Sequence, residues 1–450
     1  MSQSGMSATN MLTSSAPPPP RTFLNSSTPI KFKNTPPSTS LEELRSVRRI
    51  LQFTGDNDPR PSVNQMETET APIDTDSLPL PSDEMCTVYN EQTAMMGKAF
   101  QDHGCVPYWM SLEHNKGDWI VYVIVGEEST QIASQIIDSM EGNVLSTEVL
   151  LGEFGTIILP FVPIDTTHEA QPTPGRSIGA DSNIPGFPIK GTCSLGGYVW
   201  GTKTKRVWAL TCGHLVFPSP GPSSLCRPIH VNQPSDQDYK FTLEICTNAV
   251  NDPLRSEEVR AHFQSEMDTL KGTERRLGTI VHASWRTVPI AFGAPDIEDF
   301  ALIEIRETRI GRNNIRINGG TSGFFPLITG ASRGRVGDWV GKVGRSTGFS
   351  VGKVSKTKAR IYHENYGEEV MVGQIKNIIV DKGDSGSFVF NTNGKVVGML
   401  VGSIQATKAP MEGNRIVFMS AIYADIDDVL RWCSRVVGEE VRIVRGAPEM

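Results

Sequence analysis

The sequence predicts a mainly β protein, with a small α+β unit ahead of the β-rich region and a disordered N-terminal arm. Three observations predict it. From about Arg176 onward, short runs of strand-forming residues alternate with Gly, Pro and Asn turns. Between Cys86 and Asp165, helical and strand patterns alternate instead. Residues 1–83 are rich in Ser, Thr and Pro and carry too little apolar surface to offset the entropy of ordering them.

Within the arm, Pro17 to Pro20 form a spacer-like run. One island has helical character: in "SLEELRSVRRILQF", Ser40 and Glu43 form a capping box, and Leu41, Leu44, Val47 and Leu51 share one face. That helix is free to engage a partner or to dock on its own chain. In the unit at 84–170, "EQTAMMGKAFQDHG" reads as a helix stopped at Gly104 and "DWIVYVIVG" as a buried strand. "STQIASQIIDSM" reads as a helix capped by Ser129, and "NVLSTEVLL" as a second strand. No catalytic cluster stands out there, so it reads as an accessory unit.

The β-rich region, 176–437, runs from "GTCSLGGYVW" through "RVWALTC", "RRLGTIVHASW", "DFALIEI" and "GSFVF" to "KVVGMLVGS" and "RIVFMSAI". Antiparallel barrels or a sandwich fit that rhythm. Two insertions interrupt it, a Pro-rich loop after Phe217 and a charged helical stretch, "DPLRSEEVRAHFQSEMDTLKG". The helix "ADIDDVLRWCSRVVG" puts Ile426, Val429, Leu430 and Cys433 on one face and stops at Gly438; residues 438–450 read as a tail.

Bulk properties narrow the function. The net charge of −7 argues against non-specific binding to nucleic acid or anionic membranes. Neither a signal peptide nor an apolar run long enough to span a bilayer is visible. The 7 cysteines are scattered without a C-x-x-C pair, so neither a disulfide framework nor a zinc knuckle is expected, and an intracellular location, cytoplasmic or nuclear, is. "HENYG" lacks the second histidine of a zincin helix. "GDWVGK" and "GFSVGK" are one residue short of a phosphate-binding loop and read as hairpin turns. No metal or cofactor is expected.

Nucleophilic catalysis remains. A serine hydroxyl attacks near neutral pH only when a histidine takes its proton and an acid orients that histidine. His214 follows the apolar strand "RVWALTC", Asp299 opens the buried strand "DFALIEI", and Ser385 sits in "VDKGDSGSFVF", a sharp turn before a strand. Singly, these are a core histidine, a turn former and a hairpin residue. As an ordered set on a β-rich scaffold they point to acyl transfer. Cys212, two residues before His214, reads as a buried structural thiol.

"ALTCGHLV", "DFALIEI" and "GDSGSFVF" resemble the His, Asp and Ser motifs of chymotrypsin-fold serine proteases. "GTCSLGGYV" and "GRSTGFSVGKV" are similar to stretches of intracellular trypsin-like peptidase domains of fungi and plants, including the plant narrow-leaf type. The resemblance spans roughly residues 176–435. It implies a chymotrypsin-like double β-barrel with a cleft between the barrels, and an activity hydrolysing protein or peptide substrates. His214 would be the base, Asp299 its orienter and Ser385 the nucleophile, with an oxyanion hole from the N–H groups of Gly383 and Ser385. Ile379 would form the base of the primary pocket, and the strand with Gly402 and Ser403 one wall. No acid lies in either place, so small or apolar P1 side chains are expected. No activation site precedes the first strand, which leaves Asp384 without the new N-terminus it pairs with in secreted relatives. Two alternatives stay open, a protease-fold binding module with a covered site and a self-cleaving protein.

Overall fold

The computed structural model describes residues 80–445 apart from short segments at 106–108, 116–117, 127–128, 141–143, 155–167, 182–190, 218–227, 290–294, 316–326, 363–368 and 408–415. The arm helix at 40–53 and the Pro-rich loop after Phe217 lie outside the described residues.

Helix α1 (Asp83–Asp102) starts where Ser82 accepts the Met85 N–H, a side-chain cap for an otherwise orphaned donor, and it buries Tyr89, Met96 and Phe100. Strands β1 (Trp109–Asn115) and β2 (Asp118–Val125) form a hairpin. Helix α2 (Thr130–Ser139) then crosses to β3 (Ser146–Phe154), parallel to β2. Ser129 does not cap α2 as expected: its own backbone is already helical, whereas a capping residue needs an extended one. Met110, Leu112, Val121, Val123, Ala133 and Ile136 build a core with α1.

An eight-stranded sheet carries the first half of the β-rich region. It comprises β4 (Ser177–Ala180), β5 (Thr192–Ser194), β6 (Gly197–Gly201), β7 (Val207–Thr211), β8 (Ile229–Asn232), β9 (Arg276–Val288), β10 (Asp296–Ile305) and β19 (Val441–Ile443). Residues 441–443 of the predicted tail are therefore part of the fold: β19 pairs with β6, and alternate burial of Val441 and Ile443 anchors it. Between β8 and β9 the chain forms two helices, α3 (Asp236–Asn251) and α4 (Glu257–Gly272), where the sequence pattern showed one.

The second half comprises β11 (Gly330–Ala331), β12 (Trp339–Gly344), β13 (Gly348–Val354), β14 (Ala359–Tyr362), β15 (Glu369–Lys376), β16 (Phe388–Asn391), β17 (Lys395–Thr407) and β18 (Ile416–Asp425). Strands β12, β13, β15, β18, β17 and β16 pair successively into a closed circuit, which removes free edges. Neither "GDWVGK" nor "GFSVGK" is the expected hairpin turn: the first opens in a turn at Val336–Gly337 and enters β12 at Trp339, the second lies in β13, and a tight turn at 345–347 joins the two strands. In β13 the buried Ser350, Gly352 and Val354 alternate with half-buried Phe349, Val351 and Lys353, as a pleated strand requires. Helix α5 (Ile426–Val437) is capped by Asp425, ends at Gly438 with φ +79°, and buries Ile426, Val429, Trp432 and Cys433; Leu430 is half-buried.

The α+β unit keeps its own core but shares a sheet with this second half. β1 pairs with β14, and β3 pairs with β17. Trp109 and Ile124 turn away from the unit's core into the main one. Trp109→Ala should therefore cost about 3–5 kcal/mol, as expected for a fully buried large side chain, measured by chemical denaturation of the whole chain.

Candidate active site

His214 lies in a single 3₁₀ turn, Gly213–Leu215, just beyond β7. Asp299 sits inside β10, opposite Trp285, rather than at the strand entry expected from "DFALIEI". The polar residues Asp296 and Glu298 keep the pairing with β9 going upstream of it. The Asp299 carboxylate is fully buried. Its Oδ1 accepts the N–H groups of Gly213 (2.6 Å) and His214 (2.9 Å), and its Oδ2 meets His214 Nδ1 at 2.7 Å. Two backbone donors thus orient the acid, and the acid orients the imidazole. Gly213 is needed for this approach, since a Cβ there would sit 2.0 Å from the Ser284 carbonyl oxygen.

With Nδ1–H donating to Asp299, Nε2 is left as an acceptor. Cys212 Sγ lies 3.4 Å from it, and Trp285 packs with its ring centroid 5.7 Å away. Burial disfavours the charged imidazole, while the Cys212 sulfur and the Asp299 carboxylate favour it; the net shift is upward. Burial also holds the Cys212 thiol itself well above its ordinary range.

Ser385 is in the turn between Val380 and β16. Gly386 packs so closely on the His214-bearing segment that a Cβ would lie 3.2 Å from Cys212 N, and the Ser385 carbonyl accepts the Ser194 N–H at 2.9 Å. Among the described residues no hydrogen bond joins Ser385 to His214, and the N–H groups of Gly383 and Ser385 find no acceptor. The neighbouring N–H groups do: Asp384 donates to Asp381 O, Gly386 to Leu400 O and Ser387 to Asp384 O.

The turn is held from behind by residues that sequence reasoning missed. The buried Asp384 carboxylate meets Lys342 Nζ at 2.7 Å and accepts from the N–H groups of Ser346, Thr347 and Asp381 and from Thr347 Oγ1. Lys342 also donates to Thr347 Oγ1 and the Gly348 carbonyl. Burial pulls the Lys342 pKa down, and Asp384 opposes that pull. Gly344 allows the contact, since a Cβ there would lie 2.2 Å from Asp384 Oδ1. The signal was present in "GRSTG", 344–348, whose residues all touch this turn or shape the loop beside it.

Gly402 and Ser403 follow Leu400, which is hydrogen-bonded to Gly386 and Ser387, so the structure brings that strand alongside Ser385. Ile379 departs from the expected pocket base: its side chain is 59% exposed, because Ile378 and Val380 on either side point into the core. Its carbonyl is tied to Ser350 Oγ and Thr347 Oγ1.

Residues 195–399 match the family model described as "Trypsin-like peptidase domain". The matched span covers less than half of the chain and contains His214, Asp299 and Ser385. No curated protein matches the chain. Among solved structures, Protease A of Thermobifida fusca is 16% identical, with 61% of this chain and 100% of that chain covered and a TM-score of 0.34. A Nocardiopsis protease is 13% identical, covering 60% and 97% at a TM-score of 0.33. A Cellulomonas bogoriensis chymotrypsin is 14% identical, covering 60% and 97% at 0.31.

Two outcomes test this geometry without reference to activity. The His214 imidazole should titrate above 6.5, and Asp299→Asn should lower that value, as read by NMR. Because the folded pKa is raised, this pair stabilises the fold fully below the unfolded value near 6.5 and ceases to do so as pH rises through the folded one. Lys342→Met leaves a carboxylate buried without its cation and should cost about 3–5 kcal/mol in urea unfolding.

Proposed function

We propose that the chain is a serine endopeptidase working inside the cell through a Ser385–His214–Asp299 triad on two barrels. The observation that carries this reading is the turn at 383–385. It leaves two N–H groups without acceptors beside a serine, against the segment that bears an acid-oriented histidine. Ser385 Oγ attacks the peptide carbonyl as His214 Nε2 takes its proton. The Gly383 and Ser385 N–H groups receive the developing oxyanion. His214 then protonates the leaving amine, and water activated by the same base hydrolyses the acyl-enzyme. The contact needed between Ser385 and Nε2 forms with substrate bound, as catalytic hydrogen bonds commonly tighten in the complex. Cys212 is not the nucleophile in this reading, since it is fully buried and its thiolate is disfavoured. Six described cysteines, all free thiols, support a reducing compartment. The likeness to fungal and plant intracellular peptidases rests on the motifs alone.

A second reading draws on one observation: Nε2 meets Cys212 rather than Ser385, as an inert binding module would allow. A fluorophosphonate probe separates the two. The peptidase reading expects labelling at Ser385 together with peptide hydrolysis. Ser385→Ala should abolish both while leaving the thermal transition in place. Asp299→Asn should lower turnover on the order of 10⁴-fold by favouring the wrong imidazole tautomer. A well-folded wild type that neither labels nor cleaves over a broad pH range is the inert module.

Specificity follows from the charges available. The strand around Gly402 and Ser403 offers no carboxylate to a basic P1 residue. A peptide-library profile should show small or apolar residues at P1, and dominance of Lys or Arg there would overturn the assignment.

A further inference from the structure

The helical insertion between β8 and β9 reaches the turn of Ser385 through two buried side chains. Asp238, in the first turn of α3, is fully buried. Its carboxylate takes Arg345 in a two-point contact, with Nε at 2.6 Å from Oδ2 and Nη2 on Oδ1, and it also accepts from Ser177 Oγ. The remaining guanidinium nitrogen, Nη1, donates to the Lys382 carbonyl at 3.3 Å and to Ser346 Oγ at 3.0 Å. Ser346 Oγ donates to the same carbonyl at 2.6 Å.

That carbonyl belongs to the peptide whose nitrogen is Gly383 N. In a trans peptide the C=O and N–H point in opposite directions. Fixing the Lys382 carbonyl on Arg345 and Ser346 therefore turns the Gly383 N–H away from them, to the side where it finds no acceptor among the described residues. Gly383 has φ +100°, and a Cβ there would lie 2.5 Å from Arg345 Nη1, so the guanidinium directly backs the turn. Ser194 adds a second brace, since its hydroxyl accepts the Arg345 N–H at 2.8 Å and donates to the Gly383 carbonyl at 2.8 Å.

The insertion end of the link is equally fixed. Ser235 caps α3 through the Asp238 N–H, and a Cβ on Gly179 of β4 would meet Ser235 Cβ at 2.7 Å. Asp236 is paired with Arg275, which follows α4, at 2.9 Å, and with Asn232 Nδ2 at 2.9 Å. Both helices of the insertion thus leave the eight-stranded sheet from one locked base.

We infer that Arg345 and Asp238 are positioning residues, through which the α3–α4 insertion sets the Lys382–Gly383 peptide in its oxyanion-binding orientation. The inference rests on the serine-peptidase reading. The insertion is then a required part of the site, and anything that shifts the start of α3 changes turnover rather than substrate affinity.

The test uses the full chain with Asp238→Asn, Arg345→Lys and Ser346→Ala, active sites counted by fluorophosphonate titration. For each, kcat per titrated site should fall about 10- to 100-fold with KM little changed, since an oxyanion donor acts in the transition state. Affinity for a peptide aldehyde, which forms a tetrahedral adduct, should fall in proportion. A role confined to stability would lower the fraction of titratable sites and the thermal midpoint, with kcat per site intact, and that result overturns the proposal. Ser346→Ala removes one hydroxyl, keeps the ion pair and decides the matter should the other two not fold; unchanged kcat per site in it overturns the proposal as well. If wild type neither labels nor cleaves, the peptidase reading itself fails. If wild type is active and the variants keep its kcat, only the coupling fails.

Discussion

A carboxylate sealed from water, that of Asp384, sets the terms for the structure around it. Removing an ion from water costs several kcal/mol even after relaxation, so the charge is tolerable only with an opposite charge and a full set of hydrogen bonds. Lys342 supplies the first, and the Thr347 hydroxyl with three backbone N–H groups supplies the second. Each partner constrains the chain. Lys342 has to point inward from β12, Gly344 has to lack a side chain, and the 345–347 turn has to present consecutive N–H groups to one oxygen. The serine-bearing turn is therefore shaped by a charge pair that the completed fold contains, with no requirement for a newly cut N-terminus.

The two halves of the candidate site are built by different physics. On the His214 side, a strand carries the acid and a short helical turn carries the base, so orientation comes from backbone donors of the same segment that bears the imidazole. On the Ser385 side, residues 377–387 form neither helix nor strand, and orientation comes from side chains on three distant segments: Ser194, the 342–347 hairpin and Asp238. The close packing of Gly386 on Thr211 and Cys212 brings the halves together.

Much of the first half was legible in the sequence, and less of the second. His214 and Ser385 stand in short motifs beside strand ends and Asp299 in one inside a strand, and the structure places them on neighbouring segments. Helix α5 could be read because its apolar face, N-cap acid and terminal glycine agree. Lys342 could not, because a lysine in a strand is ordinarily solvent-facing and only the tertiary position of Asp384 makes it buried. Helix α3 carries the signal Ser235-x-x-Asp238, but its apolar residues are interrupted by Asp, Lys and Thr, so its periodicity is weak, and α4 is the more strongly charged of the two. The offset of Ile379 from Ser385 points to a pocket base, and strand-like alternation with Ile378 and Val380 sends it outward instead.

The sharing of one sheet between the α+β unit and the second circuit bears on biosynthesis. Trp109 of β1 pairs with Ile361 of β14, roughly 250 residues later in the chain. At about 5–20 residues per second, the ribosome takes on the order of 10–50 s to make the partner strand. Over that interval β1 and β3 present open edges, and Trp109 has no core to enter. Long-range pairing of this kind slows folding and exposes adhesive surface while it waits. Efficient production of this chain thus calls for protection of its first strands during translation, and slower, cooler expression favours the native partner over a neighbouring nascent chain.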